Sequence, residues 1–207
     1  MNNLIIIGGG RFGRFTRCLA EVCQFKVLGF ADDTMSPGTI VDDLPVLGNT
    51  EILDELQTKH QAQLIICISH MAKRKALAKT CAAQNLTLAT LIHPTVIQYP
   101  RSKIGKGVVI QPYSVIQTGA IIENNVLIEE SSTIGVDVLI GENSVLAPHV
   151  VVTGGTRVEK NCFIGSNTTI NPDLHIAAHG LIGSGSTVIR DTEANSVFAG
   201  APAKKIR

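Results

Sequence analysis

From Ile104 the chain runs IGKGVV, IQPYSV, IQTGAI, IENNVL, IEESST, IGVDVL, IGENSV, LAPHVV, VTGGTR, VEKNCF, IGSNTT, INPDLH, IAAHGL and IGSGST before reaching Val188. The residue at each six-residue step, from Ile104 through Ile110 and Ile116 to Val188, is Ile, Leu or Val in all fifteen cases. With branched aliphatics at roughly 0.3 of positions, such a run arises by chance about once in 10⁸, so the period is structural. A second column lies four residues after the first. It holds Val108, Ser114, Ala120, Val126, Ser132, Val138, Ser144, Val150, Thr156, Cys162 and their successors, nearly all small or β-branched.

Inward positions spaced alternately by four and two exclude an α-helix, whose apolar spacing is three and four, and describe short strands separated by tight corners. Gly, Asn, Asp and Pro gather between the columns, where corners need them. Three hexads close one triangular coil, residues eighteen apart stack, and the fifteen hexads make five coils around a continuous aliphatic prism. This part of the chain is expected to be an all-β left-handed parallel β-helix of hexapeptide repeats.

The remaining sequence bounds the rest. The 207 residues have room for two modest domains, and 44% hydrophobic content supports a buried core. The 18 basic and 17 acidic side chains nearly cancel, which gives no bulk pull toward nucleic acid or anionic membrane. Five cysteines without paired metal spacing fit a reducing cytoplasm better than a disulfide framework. The opening MNNLIIIGGG lacks a basic leader and reads as a strand, and no stretch reaches the ~18 apolar residues of a membrane span.

Before the repeat, strands and helices alternate. NLIII at 3–7 is followed by GGGRFG at 8–13 and an amphipathic helix carrying Phe12, Phe15, Leu19 and Val22 on one side. The strand FKVLGFADD ends in Asp32 and Asp33. A helix over 50–59, the strand QLIICIS ending at Ser69, a helix over 71–83 and the strand LTLATLI at 86–92 follow. This predicts a small parallel sheet wrapped by helices, an α/β Rossmann-like domain over residues 1–92, with the β-helix over 93–207. Residues 92–103, with His93, Pro94 and Pro100, are expected to connect the two.

Gly8, Gly10 and Gly13 satisfy G-x-G-x-x-G, so backbone amides at the helix start are placed to cradle a diphosphate. Asp32 at the end of the second strand suits a ribose hydroxyl. The domain is too short for the two-halved dinucleotide fold, so one nucleotide fits better than two. The alternative is that the glycines only make the turn and the aspartates cap the loop.

The opening IIGGGRFG, the acidic FADD, the LIHPTV segment and the terminal AGAPAKKI together resemble the bacterial sialic acid O-acetyltransferase family, which includes N-acetyltransferases of nucleotide-linked amino sugars. The likeness covers essentially the whole chain. It implies a homotrimer whose amino-terminal domain holds the nucleotide sugar, with acetyl-CoA lying along the prism between two subunits. A histidine beside a carboxylate deprotonates the acceptor in that family, because a base near neutrality frees the nucleophile best at cellular pH. Backbone amides then stabilise the oxyanion.

The resemblance places substrate contacts at Gly8, Gly10, Arg11, Phe12, Asp32, Asp33 and Ser69, with Arg11 and Phe12 replacing the small Gly and His usual there. The family dyad, I-G-H-D, falls on Ile134, Gly135, Val136 and Asp137, so Val136 stands where the base belongs, and Val145 stands at a second histidine position. The best substitute base is His149 in LAPHVV, with Ser131 and Asn167 on adjacent rungs; its competing reading is a solvated corner residue, and that of Asp137 is a corner residue capping backbone amides. Gly154 matches the glycine beside the thioester. Ser166 and Ser184 are expected further along the same groove, and Lys204, with Lys205 and Arg207, is a candidate for the CoA phosphates. His175 and His179 differ in corner phase and lack a third partner, so no metal is expected.

The reading is transfer of an acetyl or similar acyl group from acyl-CoA to an amine or hydroxyl of a nucleotide-linked or nonulosonic sugar, in cytoplasmic synthesis of surface glycans. A non-catalytic relative that binds sugar nucleotide or a partner protein is the alternative. An NAD-linked oxidoreductase would need a larger cofactor domain.

Overall fold

A computed structural model describes residues 2–207, in which the chain divides into a first unit ending at Leu91 and a second running from Ile92 to Arg207. In the first unit, β1 (Asn2–Ile7), β2 (Phe25–Ala31), β3 (Ile40–Val41), β4 (Leu44–Gly48) and β5 (Ala62–Ile66) form one sheet in the order β3-β4-β2-β1-β5. All pairings are parallel except the β3–β4 hairpin. The helices are α1 (Arg11–Val22), α2 (Leu53–His60) and α3 (Met71–Ala83). β1 is apolar throughout its last four residues, Leu4–Ile7, all at 0% exposure, as a strand covered on both faces requires.

The helix face expected from Phe12, Phe15, Leu19 and Val22 is not the buried one. Phe15 and Val22 are exposed, while Gly13, Thr16, Leu19 and Ala20 are buried. Close approach explains the difference: a Cβ on Gly13 would meet the Gly8 carbonyl oxygen at 1.8 Å, so α1 packs on the sheet through small residues. LTLATLI also departs from expectation. It joins the first unit's sheet only through an isolated bridge, Leu64 to Leu88, while its last two residues, Leu91–Ile92, are a short strand at the end of the sheet that contains Val109–Ile110.

The second unit is a three-sided column. Strands Ile97–Gln98, Val115–Ile116, Thr133–Ile134, Val151–Val152, Thr169–Ile170 and Thr187–Val188 stack in parallel as its first face. The second face runs from Lys103–Ile104 to His175–Ile176, and the third includes Val109–Ile110 through Leu181–Ile182. Register confirms the eighteen-residue coil, with Val115 beside Thr133 and Ile121 beside Leu139. Residues 92–103 are not a connector: His93 donates its amide to Ile110 and Ile97 pairs with Val115, so they form the opening rung.

Both inward columns are buried, with Ile110, Ile116, Ile128, Ile134, Ile140, Leu146 and Val152 at 0% exposure. The hydroxyls among them are satisfied between coils. Ser144 donates to the Glu159 carbonyl (3.0 Å) and accepts from the Cys162 amide (3.0 Å), and Ser114 and Ser132 repeat the pattern. Each corner turns on one residue at positive φ, three after the inward aliphatic: Tyr113, Gly119, Asn125, Ser131, Asp137, Asn143, His149, Gly155, Asn161, Asn167, Asp173 and His179 among them. Asn and Gly tolerate this conformation best, so their excess in the repeat is a backbone requirement.

One corner row adds an amide ladder. Asn125 Nδ2 donates to Asn143 Oδ1 at 2.7 Å, and Asn143 Nδ2 donates to Asn161 Oδ1 at 3.0 Å. Asn143→Ala removes both bonds at a 3% exposed site and puts alanine at φ 60. A loss of about 2–4 kcal/mol is expected in urea unfolding, with Asn143→Gly about 1 kcal/mol less harmful because glycine accepts that conformation. Equal losses for the two variants would show that the corner conformation contributes nothing.

Candidate functional site

The first unit contains a cavity of about 670 Å³ at the carboxyl ends of its parallel strands. Chain order reverses between β1 and β5, and the cavity lies where the segments after those strands diverge, the usual ligand position in open α/β sheets. Gly8, Gly10, Arg11 and Phe12 follow β1, Asp32 and Asp33 follow β2, and Ser69 lies beyond β5. All seven line it.

Two helix starts open on this cavity. Gly10 caps α1 with no side-chain hydrogen bond, and a Cβ there would meet nothing within 4 Å, so the space beside this helix start is open. His70 caps α3, its Nδ1 accepting from the Lys73 amide at 3.4 Å. Neither first turn carries an acid, and Arg11, His70 and Lys73 all line the cavity. Helix dipoles and cationic side chains therefore make this wall attract anions.

Gly8, at φ +106, has no room for a side chain: a Cβ would meet the Cys67 carbonyl oxygen at 2.7 Å. The aspartates shape the opposite wall. Asp32 accepts from the Gly9 amide (2.8 Å) and from the Thr34 amide (2.8 Å) and hydroxyl (2.6 Å). Asp33 accepts from the Thr50 amide (2.8 Å) and hydroxyl (3.1 Å). Both carboxylates thus cap the loops, the second of the two readings open at the sequence level, while still facing the cavity. Burial alone would raise the Asp32 pKa, but hydrogen bonds from the Thr34 hydroxyl and the amides of Gly9, Thr34 and Met35 outweigh it and hold the carboxyl below its ordinary range.

Behind the floor lies Arg74, 1% exposed, donating from Nη1 to the Ile66 carbonyl at 3.0 Å. Burial lowers its pKa to about 10, which leaves it a cation at neutral pH. Burial also pushes the adjacent Cys67 thiol up to about 12, against the Thr16 hydrogen bond and the Arg74 charge. Sequence reasoning missed His70, Lys73 and Arg74. The signal was a second strand–turn–helix junction, QLIICISHMAK, on the other side of β1.

On the column, the candidate residues occupy two edges that flank the first face. Val136, Asp137 and Gly154 lie on the edge between the first and second faces, and Gly155 donates its amide to Val136 across adjacent coils. His149, Ser166 and Ser184 lie on the edge between the third and first faces, where the His149 amide donates to Glu130 and the Gly185 amide to Ser166. Gly154 and the two serines therefore do not share one groove on a single chain. His149 and Asp137 are likewise not brought together, and both sit at positive-φ corners, which accounts for their residue types. Asp137 lies over Gly119, where an added Cβ would meet Oδ1. Val136 is 41% exposed, whereas Val145 is 7% exposed. Lys204 belongs to Lys204–Lys205, which pairs antiparallel with Val197–Ala199 and closes the third face.

Elsewhere His175 Nε2 lies 3.2 Å from Glu159 Oε1 on the second face. Among the described residues no group of three or more His, Cys, Asp or Glu side chains is placed to hold a metal, and no helix is long and apolar enough to cross a membrane.

A glycine-turn α/β domain followed by a parallel β-helix of hexads defines a two-part hexapeptide-repeat protein. Residues 3–81 match the PglD N-terminal domain, and residues 101–136 and 119–154 match the bacterial transferase hexapeptide of six repeats. The two matches follow one another along the chain, the first within the α/β unit and the second within the column. Its fold is that of the acetyltransferase domain of PglB from Neisseria gonorrhoeae FA1090 (24% identity, TM-score 0.92, 100% of each chain). It is also that of PerB from Caulobacter crescentus in complex with CoA and GDP-perosamine (24%, 0.91, 99% of this chain and 97% of that one). WeeI from Acinetobacter baumannii AYE is similar as well (21%, 0.87, 100% of each).

The Asp32 network yields a pH test. A carboxyl whose folded pKa is depressed stabilises fully above its unfolded value of about 3.9, and that stability is lost as pH falls through the folded value. Asp32→Asn is therefore expected to unfold at lower urea than wild type at neutral pH, with the gap narrowing as pH falls below about 3.9. A gap that stays constant across this range rules out the carboxylate as its source.

Proposed function

We propose that this chain transfers an acetyl or similar acyl group from acyl-CoA to an amine or hydroxyl of a nucleotide-linked or nonulosonic sugar, in the cytoplasmic synthesis of surface glycans. The observation that carries the reading is the cavity at the sheet's switch point, where two helix starts, Arg11, His70 and Lys73 converge. Its volume suits one sugar nucleotide, and its cationic wall suits a diphosphate, with Gly8 and Gly10 letting the backbone approach. Residues 1–92 then bind the acceptor and 93–207 carry out acyl transfer. CoA and GDP-perosamine, present together in complexes of the Caulobacter protein, are the ligand classes this division requires.

A trimer is the assembly we propose for the column. Gly154 and the pair Ser166 and Ser184 flank the first face on opposite edges, so a single acyl-CoA groove needs the edges of two copies. Lys204 stands in the closing strand as a candidate for the CoA phosphates. A second reading, a non-catalytic binder of sugar nucleotide or a partner protein, is favoured by Val136, which offers no proton acceptor at the family's base position.

Thiol release from acetyl-CoA in the presence of nucleotide amino sugars separates the two. Turnover with at least one acceptor is expected; tight binding of a nucleotide sugar without thiol release would leave the binder. Lys73→Glu or Arg11→Glu is expected to raise KM for the nucleotide sugar about tenfold or more with kcat little changed, since each removes a ground-state contact to phosphate. An unaltered KM in both variants would place the diphosphate elsewhere.

A further inference from the structure

The three faces of the column differ in character. The second carries Lys103, Glu123, Arg157, Glu159 and His175 outward. Outward residues of the third, Val109, Leu127 and Val145, are already buried at 0–7% exposure. The first face presents Ile97, Val115, Thr133, Val151, Thr169 and Thr187, and beside them Tyr99, Gln117, Gly135, Thr153, Asn171 and Ile189, with no charged side chain. Exposed Ile97, Tyr99, Tyr113 and Val136 lie on or beside it. It is the face suited to other copies of the same chain.

A ring of three copies with this face inward has a fixed consequence. At every seam, the edge that follows the first face in one copy meets the edge that precedes it in the next. The first edge carries Val136, Asp137 and Gly154; the second carries His149, Ser166 and Ser184. Height along the column is fixed as well, because the chain climbs one strand spacing, about 4.8 Å, per eighteen-residue coil. With the ring axis parallel to the columns, His149 lies about 3.5 Å above the level of Val136 and about 1.3 Å below that of Gly154. No other histidine stands near this level on either edge. His93 belongs to the opening rung, well below, while His175 sits on the second face and His179 at the remote corner.

We infer that the base absent at Val136 is supplied across the seam, by His149 of one copy to the acyl-transfer site on the Val136 and Gly154 edge of the next. This rests on the acyltransferase and trimer reading above and names the group that completes its site. As the acceptor nitrogen or oxygen bonds to the acyl carbon and the carbon–sulfur bond breaks, the acceptor proton passes to the imidazole. It then passes to the departing CoA thiolate, giving the acylated sugar and free CoA thiol. Glu130, whose backbone carbonyl accepts the His149 amide, and Glu129 lie on the preceding coil of the same edge, and Asp137 lies on the edge that the seam sets opposite. Asp137 thereby takes the place of the carboxylate that orients the ring.

Subunit complementation tests this. His149→Ala and Gly154→Trp, the latter obstructing the thioester position, are each expected to lose turnover by about 100-fold or more. Co-expressed with two different tags and purified through both, the mixed rings contain at least one seam with an intact His149 facing an intact Gly154. Recovery to between about one tenth and one third of wild-type rate is expected. No recovery, or full activity in His149→Ala, overturns the inference while leaving the acyltransferase reading standing. Should wild type release no thiol with any acceptor, that reading falls and the geometry is decided by oxidation. His149→Cys with Val136→Cys, in a Cys18→Ser and Cys23→Ser background, is expected to give covalent dimers and trimers, and only monomer on a denaturing gel would overturn the seam.

Discussion

The column depends on one backbone constraint: every sixth residue must sit at positive φ so that the chain can turn a corner and restart a two-residue strand. From Gly107 to Gly185 each of these positions meets it, with φ between 55° and 74°. The turn delivers a side chain to the axis twice in each hexad, one aliphatic and one small or β-branched, and brings strand edges eighteen residues apart into register. Because the strands are only two residues long, no single rung is stable alone, and stability comes from stacking many. Burial of the inward Ile and Val columns and the serine and threonine bonds between coils follow from that register.

The first unit solves a different problem. Its parallel sheet is covered on both faces, which leaves the carboxyl ends of β1, β2 and β5 as the place where backbone amides and polar side chains converge. Gly13 lets α1 close onto the turn, Gly8 lets the turn pass the chain after β5, and Asp32 pins that turn through the Gly9 amide. What remains is a cavity with a cationic rim from two helix starts and a buried guanidinium behind Cys67.

The column was legible because its period is long, strict and chemically uniform, so fifteen aliphatic positions speak with one voice. The opening rung at Ile97 escaped because Gln98 and Tyr99 break the hexad just where pairing with Val115 and Ile116 takes over. In the first unit the glycine turn was readable from Gly8, Gly10 and Gly13, yet the buried side of α1 was not. An apolar count favours Phe15 and Val22, whereas close packing selects Gly13 and Ala20. Linear order hides the cavity's second half, since Lys73 joins Arg11 only through the placement of β5 beside β1. It also hides which column edge a residue occupies, the reason Gly154 and Ser166 read as one groove.

That hidden variable explains how such a column can change its chemistry without changing its fold. A histidine two residues after the inward aliphatic, as at Val136, and one three residues after it, as at His149, both project from a corner, and the second position readily accepts histidine because that residue tolerates positive φ. Moving a base from one edge to the opposite edge of the same face therefore leaves the inward columns, the hydroxyl bonds and the register untouched. In a monomer the move would carry the base away from Gly154. In a ring it returns the base to the same seam from the other side, at nearly the same height, so symmetry supplies the proximity that the single chain lacks.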